Sequence, residues 1–113
     1  MPGMRHAPHN REPVKVAVCE TWEEFEAAGP GAVFISPEVV PFIAEKGVTL
    51  LHNKCPGCGD YGGMATFPDG KPKPASPSWK MTGWPDAITL DPSVNCTGCC
   101  GWHGWLKQGT FAL

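Results

Sequence analysis

The chain has 113 residues, a net charge of −2, and six cysteines alongside thirteen prolines and fourteen glycines. This length corresponds to a single domain. The balanced charge provides no broad basic surface, which argues against nucleic-acid binding. No apolar run approaches the about twenty residues of a membrane span, and no signal-peptide core follows Met1. A cytoplasmic protein that does not contact a membrane is therefore expected.

Residues 1–13 carry few apolar side chains, so we expect an arm that is disordered or becomes ordered on a partner. Residues 14–113 are expected to form one domain. Because its many prolines and glycines limit the apolar surface that it can bury, a bound metal would stabilise it where the core is thin.

The predicted elements begin with a strand and a short helix, which Thr21 caps with Glu24 completing a capping box. Ser36 is predicted to cap a second helix that ends at Gly47. Residues 62–78, with many prolines and glycines, are predicted to form a loop. Strands are expected at residues 14–18, 32–35, 48–51, 79–81, 87–90 and 102–113. The expected fold is α+β but mainly β, a small antiparallel sheet with zinc-ribbon-like knuckles and one or two short N-terminal helices.

Two cysteine-rich turns predict a metal site. Cys55-Pro56-Gly57-Cys58-Gly59 and Cys96-Thr97-Gly98-Cys99 each offer two thiols spaced for one tetrahedral ion. Gly59 permits a left-handed residue, which lets backbone amides point at the sulfurs. The expected ion is Zn²⁺, and the alternative is a set of buried or disulfide-bonded cysteines. The predicted ligands are Cys55, Cys58, Cys96 and Cys99, with Cys100 and His103 as alternates.

The second turn also predicts a contact between a hydroxyl and an imidazole. If residues 93–103 fold as a hairpin about Gly98, Ser93 lies directly opposite His103. This pair is the nucleophile and base arrangement of acyl transfer, and Asp91 or Asp86 could orient the ring. Two alternatives remain open: Ser93 bonds only the local backbone, or His103 is the fourth metal ligand with Cys100.

Two further sequence features concern the interior and the surface. Cys19, far from the other cysteines, is expected to be a buried thiol. Trp105 should share the face of His103, where it either packs in the core or hairpin, lines a pocket, or contacts a partner. Trp79 is expected to pack in the core.

The motifs together resemble a family of small proteins from bacteria and phages, whose bacterial members accompany ubiquitin-like conjugation genes. The matching segments are Cys55–Gly59, Trp79, Thr89–Val94 and Cys100–Gly109, and the resemblance spans residues 48–111. It implies a peptidase that acts at the C-terminus of a ubiquitin-like protein, with Ser93 as nucleophile and His103 as base. Phage relatives extend the expected location from the bacterial cytoplasm to the infected host or a virion.

Two hypotheses therefore follow from the sequence. The first is a zinc-stabilised serine peptidase that cleaves the C-terminal tail of a ubiquitin-like protein, with backbone amides of the cysteine-rich turn holding the oxyanion. The second is a non-catalytic zinc-ribbon module that binds a protein partner, such as a phage assembly component or a host protein.

Overall fold

The computed structural model describes residues 11–35, 48–72, 77–96 and 100–113. Within these ranges the chain forms one helix and ten strands. In chain order they are β1 Val14–Lys15, β2 Ala17–Cys19, α1 Trp22–Ala27, β3 Ala32–Ile35, β4 Thr49–Lys54, β5 Tyr61–Phe67, β6 Trp79–Thr82, β7 Thr89–Asp91, β8 Val94–Asn95, β9 His103–Lys107 and β10 Thr110–Ala112. The expectation of a mainly β fold is confirmed. No helix in the described ranges has the length and apolar character needed to cross a bilayer.

The strands form two sheets. One has the order β1-β10-β9-β8 and the other the order β2-β3-β4-β5-β6-β7. Most neighbouring strands are antiparallel, but β2 runs parallel to β3 and β5 runs parallel to β6. The last hairpin, β9 and β10, forms as the sequence predicted, with Phe111 opposite Leu106.

The main core lies where side chains of both sheets meet. Its largest fully buried members are Trp102, Phe111, Leu51, Ile88 and Leu90. Trp102 meets Phe111 edge to face at 5.9 Å between ring centroids. Burying such large rings supplies much of the stability of a small domain. Because Trp102 directly precedes β9, this core also fixes the start of that strand.

The short helix α1 begins as its sequence predicts. The Glu24 amide donates to Thr21 Oγ1 at 3.1 Å, which satisfies one of the unpaired amides of the first turn. Glu24 Oε1 in turn accepts a hydrogen bond from the amide of Glu20 at 2.7 Å. The helix packs through Phe25 onto a second buried cluster that includes Phe34 and Cys19. Cys19 is therefore the buried thiol that the sequence predicted.

The expectation of a loop after the first cysteine turn was wrong. Residues 62–78 were predicted to form a loop, but β5 occupies the first part of this range and pairs with β4 along six residue pairs. The alternation of buried Met64 and Thr66 with less buried neighbours is the pattern of a strand. Pairing with β4 outweighs the low strand propensity of Gly62 and Gly63.

Two other expectations lie outside the described residues. The predicted helix from Ser36 to Gly47 falls in 36–47, which the structure does not describe. Most of the predicted arm at 1–13 falls in 1–10, which is also outside the described ranges. The division into an arm and a domain therefore stays a prediction.

An aromatic cluster surrounds a buried histidine on β4. The His52 ring stacks against Phe34 and Tyr61, with centroids 5.9 Å and 5.7 Å away, and Trp22 lies at 4.6 Å. His52 Nδ1 is 2.7 Å from the Tyr61 hydroxyl, and only 5% of the residue is exposed. Burial lowers the pKa of His52 from its ordinary value of 6.5. The fold therefore favours the neutral imidazole.

This burial predicts a loss of stability in mild acid. Because the pKa of His52 is lower in the folded state, the unfolded chain binds more protons once the pH falls below about 6.5. The free energy of unfolding of the wild type should therefore decrease from about pH 7 to about pH 5, by at most about 1.4 kcal/mol per pH unit from this residue. Denaturant titrations of the wild type and His52→Gln measure the effect. If the free energy of unfolding changes with pH equally in the two proteins, the prediction is contradicted.

Candidate active site and metal centre

Three cysteines from two distant turns converge in the interior. The sulfurs of Cys55, Cys58 and Cys100 all lie within 4.8 Å of one another, and Cys55 Sγ is 3.5 Å from Cys100 Sγ. Cys55 and Cys58 follow β4, whereas Cys100 lies just before β9. Three thiols this close form a donor set that can hold a metal ion.

The first cysteine turn has the backbone that its sequence predicts. Gly59 has a φ of 86°, the left-handed conformation that glycine adopts without strain. The amide of Gly57 donates to Cys55 Sγ at 3.3 Å, so it offsets charge on that sulfur. A Cβ at Gly57 would lie 2.9 Å from Cys100 Sγ. The absence of a side chain at Gly57 thus lets the two turns approach each other.

The Cys55 thiol is buried in contact with other thiols. Burial raises the pKa of the Cys55 thiol well above its ordinary value, and contact with the Cys96 thiol acts in the same direction. A bound cation favours the thiolate and therefore opposes the effect of burial. None of the five cysteines that the structure describes forms a disulfide.

The predicted ligands are distributed as follows. Cys55 and Cys58 lie in the cluster, and so does Cys100, which was an alternate. Cys96 contacts Cys55 through its side chain, whereas Cys99 falls in 97–99, outside the described residues. His103, the other alternate, is exposed and is not a member of the three-cysteine group.

The register of the hairpin that carries Ser93 and His103 differs from the expected one. Asn95 lies opposite His103 and Val94 opposite Gly104, so the pairing is shifted by two residues from a hairpin centred on Gly98. A shift by two keeps every side chain on its expected face, because the side chains of a strand alternate with a period of two. Ser93 and His103 are therefore diagonal neighbours on one face rather than directly opposed.

The expected contact is nevertheless made. Ser93 Oγ lies 2.9 Å from His103 Nε2, which is hydrogen-bonding distance. Ser93 is half-buried and His103 is exposed, so the pair is accessible from solvent. A histidine whose Nε2 accepts the serine proton can act as the base for a serine nucleophile.

One neighbouring side chain supports the backbone of Ser93, and another shares the face of His103. The indole Nε1 of Trp79 donates to the Ser93 carbonyl at 3.0 Å, a contact that the sequence did not predict. Trp105, two residues after His103 on β9, shares its exposed face as expected, and 41% of it is exposed. Lys107 Nζ lies 5.0 Å from the centre of the Trp105 ring.

The acidic residues proposed to orient the imidazole lie elsewhere. Asp91 is opposite Lys80 in the pairing of β6 and β7, and Asp86 lines a separate cavity with Lys15 and Trp84. Within the described ranges, neither carboxylate hydrogen-bonds the His103 ring. The described geometry is therefore a serine–histidine dyad.

A serine within hydrogen-bonding distance of a histidine is the nucleophile and base arrangement of serine hydrolases, and the three clustered cysteines of this small β protein can hold a metal ion. The family model described as "Bacterial ubiquitination-like system serine protease (BubE)" matches residues 23–113. The chain therefore belongs to this family. The match begins 25 residues before residue 48, where the motif resemblance begins, so it includes most of α1. No curated protein and no solved structure matches the chain.

The cysteine cluster predicts how metal content responds to substitution. Cys100→Ser should lower the bound metal from about one ion per chain towards zero, because it removes one of three clustered sulfurs. Elemental analysis of the purified proteins measures this. Cys19→Ser is the matched control, because Cys19 is also buried but lies in the other hydrophobic cluster. Full metal content in Cys100→Ser would contradict the assignment.

Proposed function

We propose that this chain is a zinc-stabilised serine peptidase that cleaves at the C-terminal tail of a ubiquitin-like protein. Ser93 is the nucleophile and His103 is the general base. The observation that carries the proposal is the 2.9 Å contact between Ser93 Oγ and His103 Nε2. Membership of the serine protease family supports the reaction class, and the family's ubiquitination-like system supports a protein substrate.

The reaction follows from the dyad. His103 takes the Ser93 proton at Nε2 while Ser93 Oγ attacks the substrate carbonyl. His103 then gives that proton to the leaving amine as the C–N bond breaks. His103 next takes a proton from water as the water oxygen attacks the acyl-enzyme carbonyl. It returns that proton to Ser93 Oγ as the ester C–O bond breaks, which releases a carboxylic acid and regenerates the enzyme. Backbone amides of the cysteine-rich turn are proposed to hold the oxyanion in both steps.

The proposed metal is Zn²⁺ with a structural role. Cys55, Cys58 and Cys100 are three proposed ligands, and thiolate sets of this kind are typical of structural zinc. Cys96 is the proposed fourth because its side chain contacts Cys55, and Cys99 is the alternate. When bound, the ion supplies cross-linking between the two turns. Because His103 contacts Ser93, we propose His103 as the base rather than as a metal ligand.

A second candidate is a zinc module that binds a protein partner without chemistry. The observation that favours it is the lack, in the described part of the chain, of a hydrogen bond from the His103 ring to the carboxylate of Asp86 or Asp91. A dyad without an orienting carboxylate is a weaker constellation than a triad. The partner could then be a component of the conjugation system or of a phage assembly.

Labelling by a fluorophosphonate probe distinguishes the two candidates. The wild type should be labelled and Ser93→Ala should not, because the probe reacts with an activated serine. Ser93→Ala should keep its zinc and its circular dichroism spectrum, since the hydroxyl is not a metal ligand. A wild-type protein that is never labelled would favour the binding module.

The role of His103 is tested by its own substitution. His103→Ala should keep its zinc but lose about 100-fold or more of the labelling rate, because Ser93 loses its base. The same variant should cleave a fusion of a ubiquitin-like protein to a C-terminal reporter more slowly by a similar factor. Loss of zinc in His103→Ala would instead identify the histidine as a ligand and end the proposed mechanism.

A further inference from the structure

A cavity lined in part by Val94, the residue that follows Ser93, lies between two strands that have open edges. It has a volume of about 330 Å³ and is lined by residues of β5, including Tyr61 and Gly63, and of β8, including Asn95. Strand β5 pairs with β6 only at Thr66 and Phe67, and β8 pairs only with β9. Among the described residues, no strand pairs with the rest of the β5 edge or with the outer edge of β8. We call this cavity the inter-strand slot.

The hydrogen-bonding pattern shows which groups of β5 face the slot. The Cys55 amide donates to the Asp60 carbonyl at 2.8 Å, whereas the Lys54 carbonyl accepts from Gly31 on the other side of β4. The backbone groups of successive residues in a strand point alternately to its two sides. Gly62 and Met64 therefore hydrogen-bond β4, as Asp60 does. The N–H and C=O groups of Tyr61 and Gly63 consequently point away from β4, towards the slot.

The backbone groups of β8 alternate in direction in the same way. The Cys96 amide donates to the Trp102 carbonyl at 2.7 Å, so the backbone of Cys96 faces the strand that leads into β9. By alternation, the backbone groups of Asn95 and Ser93 point the other way. The Ser93 carbonyl confirms this direction, because it accepts a hydrogen bond from Trp79, and Trp79 lines the slot. The N–H and C=O of Asn95 therefore also face the slot.

The β5 wall of the slot is bare backbone at its centre. Gly62 and Gly63 are consecutive and carry no side chains. A Cβ at Gly63 would meet only Leu50 Cδ1 at 3.6 Å and the Tyr61 hydroxyl at 3.7 Å, so packing does not require glycine there. Glycines in a strand commonly mark places where another backbone approaches closely.

We propose that the inter-strand slot binds the substrate tail as an added β-strand between β5 and β8. The tail would exchange backbone hydrogen bonds with Gly63 and Tyr61 on one side and with Asn95 on the other. Because Ser93 directly precedes β8, a strand in the slot lies beside the nucleophile. This inference rests on the proposed function and deepens it: the site recognises an extended backbone.

The experiment uses the zinc-loaded full chain carrying Ser93→Ala, which binds without turnover. The probe is an acetylated tetra-alanine peptide with a free carboxylate, added to millimolar concentration. We expect the amide NMR signals of Gly63 and Asn95 to shift on titration. N-methylation of the peptide at either of two successive residues should weaken binding about fivefold or more, because successive N–H groups of a strand point to opposite edges.

Two substitutions test the wall itself. Gly63→Pro removes the N–H that faces the slot without removing a bond to β4, and it should weaken peptide binding about fivefold or more. Gly63→Ala keeps that N–H, so it should weaken binding much less than Gly63→Pro. Should Gly63→Pro fail to fold, the N-methylated peptides still test the proposal on unchanged walls.

The outcomes separate the slot from the enzyme. Peptide binding with the expected N-methyl effects but no fluorophosphonate labelling of the wild type would support the slot and reject the peptidase. Labelling and tail cleavage, with no shift at Gly63 and Asn95 or with equal affinity for N-methylated peptides, would overturn the slot and leave the peptidase in place.

Discussion

The convergence of Cys55, Cys58 and Cys100 connects the two sheets of the fold. It joins the turn after β4, in the larger sheet, to the segment before β9, in the smaller one. Gly57 lets the two turns approach closely, and Trp102, two residues after Cys100, is buried in the core between the sheets. Metal binding at this point would therefore stabilise the contact between the sheets as well as the local turns.

The dyad depends on this junction. His103 follows the buried Trp102, and the Ser93 carbonyl accepts a hydrogen bond from Trp79 of the larger sheet. Each member of the pair is thus held by one sheet or by the core between them, while the side chains themselves remain accessible. A nucleophile and base whose supporting residues are fixed by packing keep their geometry without reorganisation during the reaction. The inter-strand slot lies between the same two sheets, so the proposed substrate binding and the dyad geometry would share one set of supports.

Much of the local structure was predictable because it depends on near neighbours. The Thr21 cap, the left-handed Gly59 and the last hairpin all formed as expected. The contact between Ser93 and His103 was also predicted, although its register was not. The actual pairing differs by two residues, and the contact survived because an even shift preserves the faces of both strands. The prediction was therefore right about the face and wrong about the partner directly opposite.

The pair of thiols at Cys55 and Cys58, the turn that presents them, and the alternation that puts Ser93 and His103 on one face could all be predicted from the sequence. These features depend on spacing and on local backbone preferences. The pairing of distant segments brings Cys100 to Cys55 and Cys58, makes residues 61–67 a strand, and leaves the facing edges of β5 and β8 open among the residues that the structure describes. Those outcomes depend on which distant segments pair, and pairing energy between segments far apart in the chain outweighs the local propensities that a sequence displays.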